Sequence, residues 1–226
     1  MAIGIESVWF TFVPLVVLLG VVAAVVLFTR RNLADGATLL TPRRLVEGYI
    51  FTVLLVTMLL VSSGLADMVK ARIAGYAGME STYRPNPVYE PGRKLDQEPK
   101  IEYDAKAPRR DLLSGAAQFG MGAIIGLLHL FGLLRLSRNE PISPSPVYRL
   151  FLIVGLVIYT TAVIVFAVAT VKDYLIYRYV GLPPMQSWYQ RPVPGEQFAG
   201  LVAFLPFWGI LVVRLFRYAQ ARGTSD

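Results

Sequence analysis

The sequence predicts an all-α integral membrane protein of five transmembrane helices, on three observations. Of 226 residues, 55% are hydrophobic and only 16% charged, against roughly a quarter charged in soluble domains. Mean hydropathy is positive, +0.53. Five runs contain no Asp, Glu, Lys or Arg: Ser7–Thr29, Gly48–Ala66, Leu112–Leu134, Leu150–Val171 and Gln197–Val213, of 23, 19, 23, 22 and 17 residues. Each is close to the ~20 residues that carry a helix across a ~30 Å hydrocarbon core. Lipid offers the backbone no hydrogen bonds and the runs lack the alternation of a barrel strand, so helices are the economical solution.

The first run reads as a retained anchor. Met1–Ser7 carries no basic side chain, the apolar core is too long for a signal peptide, no Ala-x-Ala site follows, and Arg30 and Arg31 act as a stop.

The connections between runs fall into two sets. The Thr29–Leu45 loop, the Arg135–Arg149 loop and the tail after Val213 hold ten arginines against Asp35, Glu47, Glu140 and Asp226, a net +6. The N-terminus, the Asp67–Asp111 loop and the Lys172–Glu196 loop hold twelve basic against eleven acidic residues, a net +1. Arg-dense short loops stay in the cytoplasm, so the N-terminus is expected outside and the C-terminus inside a bacterial cytoplasmic membrane. The net charge of +7 is thereby topological, and a nucleic-acid partner is not expected.

An internal repeat organises the rest. At an offset of 79 residues, Gln118-Phe119 matches Gln197-Phe198, and Arg135-Leu136-x-Arg138 matches Arg214-Leu215-x-Arg217. At an offset of 106, Arg43 matches Arg149, Asp67 matches Asp173, Arg72 matches Arg178 and Gly75 matches Gly181. The second with third and fourth with fifth runs are therefore expected to form two helical hairpins, parallel repeats about an axis along the membrane normal. Residues 1–42 form the anchor and a cytoplasmic loop, 43–138 the first hairpin with its long outer loop, and 139–226 the second hairpin and tail.

The Gln-Phe starts, His129 or Pro206-Phe207-Trp208 late in the helix, and the closing Arg-x-x-Arg resemble, from Arg43 to about Arg222, a widespread family of bacterial membrane proteins of unknown function. The resemblance implies a fold of repeated transmembrane hairpins and supplies no catalytic residues.

Zero cysteines exclude disulfides, thiolate metal sites, iron–sulfur ligation and covalent c-type haem. His129 is the only imidazole, so this chain alone builds no multi-histidine metal cluster. An ionisable group within a span is a functional candidate by default, here as an axial ligand to haem or pigment or as a proton relay. Its repeat equivalent is Trp208, however, and both are amphipathic rings, so an interfacial or helix-bridging role is expected and no cofactor of the chain's own.

The third run carries Gly115 and Gly122-x-x-x-Gly126, which lets another backbone approach closely. These three glycines are expected to pack on a helix of the same bundle, with another subunit as the alternative. Transport would leave charged groups or matching interruptions in the membrane cores. Pro206 pairs with Leu127 in the repeat, and Thr52, Thr57, Ser62, Ser63, Thr160 and Thr161 are of the kind that bond their own helix or a neighbour. A nucleophile with its base is not found, nor a phosphate loop, so an enzyme acting alone is not expected.

The 45-residue loop Asp67–Asp111 is expected to continue as helix over Met68–Ala74. It then becomes an extended strap through Tyr83, Arg84, Pro85, Pro87 and Tyr89, unable to fold alone and suited to lying on a partner. Trp188 and Tyr189 in the second outer loop are placed in the interfacial belt or on the same partner. The function expected is that of a non-catalytic accessory subunit of a bacterial membrane complex, respiratory or photosynthetic, in contact with other membrane subunits and with lipid. A small transporter or channel, and a haem- or pigment-binding subunit using His129, are the competing classes.

Overall fold

The structure, a computed structural model, describes residues 41–88, 100–138, 145–180 and 192–223. Four helices fill most of them: α1 (Pro42–Ala77), α2 (Ala107–Ser137), α3 (Pro146–Leu175) and α4 (Pro194–Gly223). All four are long and apolar enough to cross a membrane, and each contains one of the uncharged runs. The run Ser7–Thr29 lies outside the described residues, as do Tyr89, Trp188 and Tyr189.

Local chemistry sets the ends. The Thr41 hydroxyl accepts from the Arg44 amide at 3.4 Å ahead of Pro42, and the Ser145 hydroxyl accepts from the Val147 amide at 3.2 Å ahead of Pro146. Both are side-chain caps followed by proline at a position whose N–H has no helical partner. The helical continuation expected over Met68–Ala74 runs to Ala77 and stops at Gly78, whose φ of 87° favours glycine. The last turn of α3 widens into a π-helical turn over Ile176–Val180.

The architecture departs from pure helix in one place. Asn86–Val88 (β1) pairs antiparallel with Lys100–Glu102 (β2), Pro87 opposite Ile101. Prolines fix extended backbone, as expected, but the exposed edge so formed is met by the returning half of the same loop. The described part of the strap, as far as Val88, thus pairs with its own chain.

Helix α1 is the hub. It packs closely on α2 and on α4 and more lightly on α3, while α3 and α4 form a second hairpin. Among the described residues α2 makes no comparable contact with α3, so the packing lacks the two-fold exchange that a normal axis would impose. The main core joins Leu152, Tyr159 and Leu211 with Leu55, Phe204 and Trp208. A smaller one joins Ala74, Tyr83 and Ala107 where α1 and α2 leave the apolar runs.

Glycine sets the α1–α2 distance. A Cβ on Gly64 would stand 2.5 Å from the Gly115 carbonyl oxygen, and one on Gly115 would stand 2.5 Å from that of Gly64. The two backbones therefore touch, a contact open only to hydrogen side chains. The outward surface is rich in large apolar groups, Leu128 and Phe131 each 66% exposed, which in water would be a severe liability and in lipid is ordinary.

Candidate functional site at the Lys70 end of the bundle

Lys70, on the part of α1 beyond its apolar run, gathers three helices. Its ammonium donates to Glu196 Oε1 of α4 at 3.1 Å and lies 3.5 Å from Asp111 Oδ2 of α2. Glu196 sits in the first turn of α4, where the helix dipole favours a carboxylate. Beneath the lysine lies the Tyr83 ring, its centroid 4.8 Å from Nζ, a cation–π contact.

Tyr83 arrives there through the turn that follows α1. After Gly78, a 3-10 turn over Met79–Ser81 is tied by Ser81 Oγ donating to the Gly78 carbonyl at 2.9 Å, with Thr82 Oγ1 3.1 Å from Ser81 Oγ. Gly195 lets α4 begin against this turn: a Cβ there would stand 2.7 Å from Thr82 Oγ1. Burial pushes the Tyr83 hydroxyl pKa up, helped by Asp111 and then Asp67 and Glu196. That hydroxyl is buried without an aligned hydrogen bond, although the Asp111 carboxylate is near enough to act on it. It remains a neutral hydroxyl beside one ammonium and three carboxylates. The cluster has the chemistry of a clasp; among the described residues no three His, Cys, Asp or Glu groups are set to hold a metal ion.

A second clasp closes the opposite end. Glu47 is buried, and its carboxylate accepts from Arg43 Nε at 3.1 Å and from Ser145 Oγ at 2.6 Å. The start of α1 is thereby bonded to the cap of α3. Between the clasps the hydroxyls are engaged within the chain. Thr52, Thr57 and Thr161 donate to the carbonyls of Gly48, Leu54 and Val157, and Ser62 donates to Met58 O while meeting the Tyr159 hydroxyl.

The singled-out residues fall as follows. His129 Nδ1 donates to the Ile125 carbonyl at 2.8 Å, and in that tautomer Nε2 accepts from the Tyr49 hydroxyl of α1 at 3.4 Å. Trp208 donates to Thr160 Oγ1 of α3 at 3.0 Å. The two rings thus each tie the second helix of a hairpin to the first. Gly115 and Gly122 are buried, and Gly126 lies beside Thr57, so all three face α1. Tyr83 and Pro85 are buried, Arg84 is half-buried, and Pro87 lies in β1. Tyr83 is accordingly turned into its own chain and is not on a surface open to a partner; its aromatic area found a lysine and two helices first.

Lys70, Asp111, Glu196 and Glu47 were not anticipated from sequence. Arg43 and Glu47 at a four-residue spacing gave a signal for one pair. Nothing local links Lys70 to Glu196, 126 residues away.

No family model, curated protein or solved structure matches the chain.

Proposed function

We propose that the chain is a non-catalytic integral membrane subunit that binds other membrane-spanning polypeptides in a larger bacterial complex, a respiratory or photosynthetic electron-transfer assembly. The observation that carries this reading is the destination of the intramembrane polar groups. The hydroxyls of Thr52, Thr57, Ser62, Tyr159 and Thr161, both nitrogens of His129 and the Trp208 indole are spent on bonds within the chain. A transporter or haem ligand would aim such groups at a path or a pocket. Here Thr52, Thr57 and Thr161 bond their own helix, while Ser62 with Tyr159, His129 with Tyr49 and Trp208 with Thr160 fasten helix to helix, which supports a scaffold.

The same reading includes a fifth helix over Ser7–Thr29, an outside N-terminus and two repeated hairpins. The matched roles of His129 and Trp208 support the repeat. Leu45, Thr52, Val56, Leu60 and Ser63 are exposed along one side of α1, a stripe open to a membrane-spanning partner. Affinity purification from membranes in mild detergent tests the reading: fixed-ratio companions that also span the membrane are expected, and a chain that purifies alone would refute it.

A further inference from the structure

We propose that the outward face of α4 from Pro206 to Arg217 binds an anionic phospholipid. The phosphate would rest on Arg214 and Arg217 and an acyl chain along Val213, Ile210 and Gly209. This rests on the membrane reading above and names one of its ligands.

Pro206, Gly209, Ile210, Val213, Arg214 and Arg217 line a single depression in the surface. Their spacing of three, one, three, one and three residues places them on one helical face. The depression has a local cause. Gly209 has no side chain and nothing lies within 4 Å of where its Cβ would stand, and Pro206 interrupts the helix beside it. The face looks away from the core: Ile210 and Val213 are 54% and 50% exposed while Ala203 and Leu211 are buried.

Length and charge fit a lipid. From Pro206 to Arg217 is about 16 Å of helix, close to the ~15 Å half-thickness of the hydrocarbon core. The arginines close the uncharged run Gln197–Val213, at the level where headgroup phosphates lie. Among the described residues no carboxylate pairs with either of them. Planar guanidinium forks match phosphate oxygens, and basic pockets at a membrane surface take anionic headgroups.

The other hairpin supplies a built-in comparison. Arg135 and Arg138 repeat the two cations on α2, but the positions equivalent to Pro206, Gly209, Ile210 and Val213 are Leu127, Leu130, Phe131 and Leu134. All four are exposed large side chains. Charge is shared by the two helices; the groove belongs to α4 alone.

The test uses the full chain purified in neutral detergent, with bound phosphatidylglycerol and phosphatidylcholine counted by native mass spectrometry. Phosphatidylglycerol should be retained in preference, and Arg214→Gln with Arg217→Gln should lower its retention roughly thirtyfold, from about 1 kcal/mol for each of the two surface cations. Gly209→Leu should lower it with the charge intact, Gly209→Ala less so, and Arg135→Gln with Arg138→Gln should leave it unchanged. Equal loss from the α2 pair, no effect at Gly209, or complete displacement of the lipid by inorganic phosphate would overturn the proposal.

Discussion

The Tyr159 hydroxyl lies 3.1 Å from Ser62 Oγ, and neither residue has any exposed surface. Ser62 also donates to the Met58 carbonyl at 2.9 Å, so in this pair the tyrosine donates and the serine accepts. The bond joins α1 to α3 in the middle of their apolar runs, and its two ends are not equivalent. Tyr159→Phe leaves Ser62 bonded to its own helix and should cost about 0.6 kcal/mol, the usual worth of an interhelical bond in a membrane protein. Ser62→Ala strands a buried hydroxyl and should cost about 1–3 kcal/mol. Thermal unfolding in one detergent should rank wild type, Tyr159→Phe and Ser62→Ala in falling order, and the reverse order of the two variants would remove this bond from the core.

Gly115 and Gly120 sit on the same helix and should answer differently to one methyl group. At Gly115 the new Cβ would meet the Gly64 carbonyl at 2.5 Å; at Gly120 it meets nothing within 4 Å. Gly115→Ala should destabilise by ~1–3 kcal/mol through overpacking, whereas Gly120→Ala should be neutral or slightly stabilising through helix propensity. The midpoint of detergent-induced unfolding checks both.

Tyr83 gives a pH dependence with a definite sign. Its folded pKa is raised by burial first and by Asp111 second, so the unfolded chain ionises near 10 while the folded one does not. The stability tied to this group is therefore complete below about pH 10 and falls as pH rises above it, because the unfolded state gains the charge. Wild type should lose stability relative to Tyr83→Phe between pH 9 and 11, roughly by the linkage slope of one proton. A constant difference across that range would place the hydroxyl in water.

The proposed five-helix topology is open to labelling, since the chain has no cysteine of its own. Cysteines at the exposed residues Ala105 and Arg138 should react oppositely with an impermeant thiol reagent on intact cells, Ala105→Cys labelled and Arg138→Cys silent. Reversed labelling would invert the orientation, and equal labelling would remove a span from the proposal.

Sequence reading succeeded where one variable decides the outcome. Hydropathy over some twenty residues located all four described helices, because lipid leaves an apolar segment few alternatives. The glycines Gly115, Gly122 and Gly126 were legible as a close contact, since absence of a side chain has one main use in such a helix; that Gly115 meets Gly64 and that Gly122 and Gly126 meet the turn of Thr57 to Val61 was not. Glu47 and Lys70 were counted as loop charges although Glu47 ties α1 to the cap of α3 and Lys70 ties α1 to both α2 and α4. Long-range pairing leaves no local trace, and a charge at the end of an apolar run reads the same whether it faces water or a partner. Tyr83 failed for the same reason: proline predicted its extended neighbourhood, but only the fold brings α1, α2 and α4 around its ring.

The most direct test of the proposed role is the native mass of the particle extracted in mild detergent, read with its visible absorption spectrum. The account predicts a particle well above the 25.0 kDa chain with its detergent, containing other membrane-spanning polypeptides in fixed ratio. Any Soret or pigment band it carries should be unchanged by His129→Ala. A monodisperse particle holding this chain alone, or a band lost with His129→Ala, would contradict it.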